Sequence, residues 1–161
     1  MKIEISTYDF FNKFCLGLIF IGVVIFSFID DVENLVKTVG EIEENTIITT
    51  IFSFSVLALV YEVGIIINRL GSLLEEFLKN THLIPYNADY KKFNDRKKEY
   101  PIMNILSREY ALSRNSIVLF LLISIIIFIK FVWYGMIPFS IMLLFYFSCY
   151  KYARKIYDLM K

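Results

Sequence analysis

Glu62 is the residue with the most chemistry to offer: an acid set at the end of a run, 46–61, that carries no other charge. An ionisable group inside a membrane span costs about 2.5–3.5 kcal/mol on insertion scales, so it turns toward protein or water. Arg69 lies seven residues on, about 20° around a helix and roughly 10 Å along it. The two share a face but stand too far apart for a direct pair, and Asn68 sits beside Arg69. Two readings follow. In one, Glu62, Asn68 and Arg69 line a polar pore or gate at an oligomer axis, with Glu62 as a ring of carboxylates. In the other, the span ends near Tyr61 and Glu62 is already in water.

Other reactive groups do not assemble into a catalytic set. The single histidine, His82, has no Cys, Asp or Glu at metal-site or triad spacing and reads as structural or solvent-facing. Cys15 and Cys149 each lie in an apolar run, which fits neither a zinc site nor a secreted disulfide framework and predicts buried thiols. The acids of 30–45 lack the D-x-D-x-D-G order of a calcium loop and read as a solvated acidic face. Nucleophile-elbow, zincin and phosphate-loop patterns do not occur. We therefore expect no enzymatic activity, no metal and no cofactor.

The elements that carry these residues are membrane-length helices. The 161 residues are 57% hydrophobic with a mean hydropathy of +0.58, against roughly 45–50% apolar in soluble domains. A net charge of +1 supplies no global field for nucleic acid, and no nucleic-acid partner is expected. The first apolar run, 14–29, is followed by no small-x-small cleavage site, so it reads as a retained anchor. Gly17 and Gly22 are five apart, which is not a GxxxG spacing, and carry no dimer motif.

Span two covers 46–68 and continues as an amphipathic helix to Lys79, with no proline to stop it. At about 100° per residue, Ile66, Ile67, Leu70, Leu73, Leu74, Phe77 and Leu78 fall on one side. Gly64, Asn68, Arg69, Gly71, Ser72, Glu75, Glu76 and Lys79 fall on the other. Gly64, Gly71 and Ser72 form a small-residue edge that would let another backbone approach, with Asn68 hydrogen-bonding across. The plain alternative is a solvated face with two tolerated glycines. Each glycine costs about 1 kcal/mol in helix propensity, which favours packing.

After the break at Pro85, Asn87 caps a short helix running through Glu99, and Tyr100–Pro101 ends it. Lys91, Lys92, Arg96, Lys97 and Lys98 make this helix a basic cytoplasmic patch, diluted by Asp89, Asp95 and Glu99. It reads as a solvated, membrane-proximal surface. A third helix starts at Ile102, carries Arg108 and Arg114 near the membrane, and becomes the most hydrophobic run in the chain at 117–129. The sequence 131–134 forms an aromatic belt, 135–138 a tight turn, and 139–152 a short fourth span. Lysines and arginines number nine in 69–114 and four in 151–161, against one in 30–45 and none in 134–138. By the positive-inside rule both termini and the middle segment are cytoplasmic.

The block 64–73, a Tyr/Phe/Lys-rich connector and then 107–114 leading into a span resemble, over the middle third of the chain, small multi-span proteins of bacterial antiphage defence systems. That resemblance implies a membrane-damaging effector or a membrane-associated sensor working beside a soluble partner. The expected fold is all-α: one domain over 1–161, a polytopic bundle of four transmembrane helices with the second and third extended into the cytoplasm at about 69–114. The expected partners are the lipid bilayer, further copies in a homo-oligomer, and a soluble cytoplasmic protein. The expected function is a non-enzymatic effector or sensor of the bacterial inner membrane that acts by membrane perturbation or ion leak. A passive anchor or scaffold subunit for a soluble protein is the alternative.

Overall fold

The computed structural model of the chain describes residues 7–28, 37, 40, 46–85, 90–131 and 133–161. The acidic stretch 30–45, apart from 37 and 40, lies outside the described residues, as do the capping Asn87 and Val132 of the aromatic belt. Among the described residues the structure is all-helical: α1 (Thr7–Phe28), α2 (Thr46–Asn80), α3 (Tyr90–Glu99), α4 (Ile102–Lys130) and α5 (Met136–Leu159). α2, α4 and α5 are long and apolar enough to cross a membrane; the apolar helix 12–28 in α1 is shorter. At 1.5 Å per residue the 35 residues of α2 reach about 52 Å, well beyond the ~30 Å of a bilayer core.

Helix ends follow local chemistry. α2 closes in a Schellman motif: the His82 amide donates to the Lys79 carbonyl (3.1 Å) and the Leu83 amide to the Leu78 carbonyl (3.0 Å). This puts His82 at φ 56°. The turn between α4 and α5 lies at 133–135 rather than 135–138. Pro138 sits inside the first turn of α5, where its missing amide donor costs nothing. The turn is tied down by the Ser124 hydroxyl, which donates to the Gly135 carbonyl at 2.9 Å.

α4 is the hub and touches every other helix. α1 runs parallel to it. The Tyr8 hydroxyl donates to the Arg108 carbonyl (3.3 Å), and at the other end the Lys130 ammonium lies 5.4 Å from the Phe28 ring centre. α2 and α5 run the opposite way, so Tyr8, the C-terminal end of α2, α3 and Lys161 gather at one end. There Lys92 Nζ donates to the Lys161 carbonyl (3.3 Å) and the Tyr146 hydroxyl to the Leu83 carbonyl (3.3 Å). The central core joins Leu16, Ile67, Val118, Leu119 and Ile123; a smaller one at the α3 end joins Leu78, Ile84 and Ala153.

The buried face of α2 overlaps the apolar side read from the sequence only in part, at Ile67, Leu74 and Leu78. Gly64, Ile67, Gly71 and Leu78 are buried, whereas Ile66, Leu70, Leu73 and Phe77 are 56%, 37%, 63% and 59% exposed. The reason is bulk: neighbouring helices approach closest over the glycines, which leaves the wide leucine side outward. Cys149 is buried and Cys15 is exposed on α1; both thiols are free, so the expectation of two buried thiols is corrected for Cys15.

Candidate functional site

Where α2 meets α4, the absence of a side chain at Gly71 makes room for Asn115. A Cβ on Gly71 would collide with the Asn115 amide oxygen. Asn115, wholly buried, donates from Nδ2 to Asn68 Oδ1 at 2.9 Å. Its own Oδ1 accepts from Arg114 Nε at 3.3 Å. The Arg114 guanidinium in turn pairs with Glu75 Oε2, and Lys79 Nζ lies 2.5 Å from Glu75 Oε1. Five side chains from two helices thus form one continuous polar clasp, with Glu75 and Arg114 only about 15% and 14% exposed.

Sign and burial explain the clasp's electrostatics. Burial pushes the Glu75 carboxyl upward, but the Lys79 hydrogen bond and the charges of Arg114 and Lys79 outweigh it and hold the group below the usual glutamate range. Tyr110 is driven the other way, chiefly by burial and then by the Glu75 carboxylate beside it. Its phenol stays protonated and hydrogen-bonded to Glu75. Truncating one member of such a buried pair leaves the other uncompensated, at a cost of about 3–5 kcal/mol.

The clasp forms one wall of a cleft of about 280 Å³. Glu75 and Lys79 line it from α2, and Ser107, Tyr110, Ala111 and Arg114 from α4. The opposite side is apolar: Pro85, Phe93 from α3, and Ala153, Ile156, Tyr157 and Met160 from α5. Among the described residues no three His, Cys, Asp or Glu gather as metal ligands.

The residues marked in the sequence are dispersed. Glu62 and Arg69 are both exposed on α2, away from the clasp; Asn68 belongs to it. Glu62 follows Tyr61, whose ring stacks on Phe10 at 5.3 Å, so it lies level with the beginning of α1. Gly64 is pressed against the Lys13 backbone and Gly71 against Asn115, while Ser72 is exposed and its hydroxyl donates to the Asn68 carbonyl (3.2 Å). On α3, Lys91 and Lys98 are exposed and Lys92, Arg96 and Lys97 half-buried, with Arg96 paired to Glu99 at 2.9 Å. His82 serves as the left-handed cap described above.

Sequence reasoning did not single out Glu75, Tyr110, Arg114 and Asn115 as a cluster. A usable signal was present: an acid just after an apolar run and an arginine just before one, on two antiparallel helices. No protein-family model matches the chain, and no curated protein or solved structure matches it either.

Proposed function

We propose that this protein is a non-enzymatic effector or sensor of a bacterial inner membrane, and that it acts as a homo-oligomer assembled along α2. One observation carries the reading. Ile66, Leu70, Leu73 and Phe77 are all more than a third exposed, and they recur in steps of four, three and four, the heptad spacing of a packing seam, below a stretch, 51–59, that is exposed on every side. Lipid covers such a stripe only as far as the bilayer reaches. Leu70, Leu73 and Phe77 lie beyond Arg69, where an apolar face in water needs a protein to cover it. A second copy with the same orientation in the membrane presents the same stripe at the same depth.

In this reading four helices cross the bilayer, both chain ends face the cytoplasm, and the α3 end is the cytoplasmic end. The gathering of Tyr8, α3 and Lys161 at one end supports that topology, as does the excess of lysine and arginine there. The α2–α4 clasp is the element that a soluble partner would bias, and the likeness to antiphage membrane proteins accords with such a role.

Disulfide trapping in isolated membranes tests the assembly. With Cys15 and Cys149 replaced by serine, single cysteines at Ile66, Leu70, Leu73 and Phe77 should cross-link copies. Cysteines at Ser72 and Glu76 should not. Uniform or absent cross-linking would remove the oligomer. Glu62→Gln, expressed at the parent level, should alter ion leak if a carboxylate ring lines the path; an unchanged leak removes that ring. The exposed lysines of α3 favour a second reading, a passive anchor for an acidic soluble protein, in which expression of the chain leaves membrane potential unaltered.

A further inference from the structure

We infer that the cleft at the α3 end is a binding site for a small amphiphilic anion: an apolar body bearing one carboxylate or phosphate group. This goes beyond the effector reading and does not depend on how the chain acts on the membrane.

Three observations converge on that class of ligand. First, the cleft is two-sided. Its charged wall holds Arg114 and Lys79 on either side of Glu75, each paired with it. Arg114 commits Nε to Asn115 and one terminal nitrogen to Glu75. A guanidinium carries five N–H donors in a fork suited to carboxylate or phosphate. Second, the opposite wall of Phe93, Ala153, Ile156 and Met160 offers no charge to a ligand, so a fully solvated inorganic ion would gain little there. Third, both helices bordering the mouth are basic. α3 carries five cationic and two acidic residues, and 151–161 four cationic and one acidic. A cleft set between them draws anions and repels cations.

On the same side the Ser107 hydroxyl donates to the Met103 carbonyl at 2.7 Å and the Tyr110 phenol bonds Glu75, so the N–H groups of Arg114 not spent on Asn115 and Glu75 are the donors that face an oxyanion. The apolar wall then holds the body of the ligand while Arg114 holds the head. Two sources supply such a molecule, a soluble organic acid or an anionic lipid of the inner leaflet, and the chemistry of recognition is shared.

Fluorine NMR on the full chain in phosphatidylcholine nanodiscs tests this, with para-fluorohydrocinnamate as the probe, the corresponding alcohol as its neutral counterpart, and empty discs as background. We expect the acid to bind at least tenfold more tightly than the alcohol. Arg114→Gln should erase that preference. Ile156→Trp, which leaves every charge in place and fills the apolar wall, should abolish binding of both. Repeating the titration in discs containing phosphatidylglycerol separates the sources: suppression of the probe identifies lipid as the competing anion, and its absence identifies a soluble one, with the site standing in either case. The proposal is overturned if the acid does not bind, if acid and alcohol bind equally, if Arg114→Gln keeps the preference, or if Ile156→Trp binds the acid as well as the parent.

Discussion

Gly17 and Gly64 meet backbone to backbone where α1 crosses α2. A Cβ on Gly17 would strike the Val60 carbonyl, and one on Gly64 the Lys13 carbonyl. In lipid, where apolar side chains gain nothing by leaving their surroundings, such close approach is what holds two helices together. Gly64→Val and Gly17→Val should each destabilise the bundle by about 1–3 kcal/mol through overpacking. Gly22, with nothing within 4 Å of its would-be Cβ, is the control: Gly22→Ala should stabilise by roughly 0.5–1 kcal/mol. Unfolding of the purified protein in mixed micelles checks all three.

The α2–α4 clasp gives a second prediction. Arg114→Gln should cost about 3 kcal/mol, because Glu75 then keeps its burial and loses its main counter-charge. Replacing both partners, Glu75→Leu with Arg114→Leu, should cost less than either single change. A double-mutant cycle on unfolding free energy reads the difference.

Acid should reach the same contact. Glu75 has a carboxyl held below its ordinary range in the folded protein, so its contribution is fully present above the ordinary glutamate range. That contribution disappears as pH falls through the depressed folded value. Stability measured against pH should therefore fall on the acid side, and Glu75→Gln should flatten that limb.

His82 occupies the left-handed region at φ 56°, a conformation that costs residues other than glycine roughly 1–2 kcal/mol. His82→Gly should raise unfolding stability by about 1 kcal/mol, and His82→Val should lower it by at least as much. The thermal midpoints of the two variants decide it.

The helices were legible because their signals are local. An unbroken run from Thr46, the Tyr100–Pro101 stop and the apolar stretch after Asn115 each act within a few residues: α2 begins at Thr46 and α4 at Ile102, directly after the stop, whereas α2 ends at Asn80, five residues before Pro85. The polar edge of α2 was legible as well, in Gly64, Asn68 and Gly71. Which way α2 faces was not, since Leu70 and Leu73 point outward only because α1 and α4 converge over the glycines. The Glu75–Arg114 pair was hidden for a related reason: its partners are 39 residues apart, and their meeting depends on the register of two long helices. Periodicity gives a residue its angle on a helix but not its height against a neighbour. His82 shows the same limit at short range, because a left-handed cap is usually announced by glycine or asparagine.

Membrane potential, followed with a voltage-sensitive dye during induced expression of the chain alone, tests the proposed function most directly. The parent should collapse the potential, and a variant with Leu70→Asn and Leu73→Asn, inserted at the same level, should leave it intact because the copies no longer assemble. A potential unaltered by the parent, or lost equally with the variant, would contradict an effector built along α2.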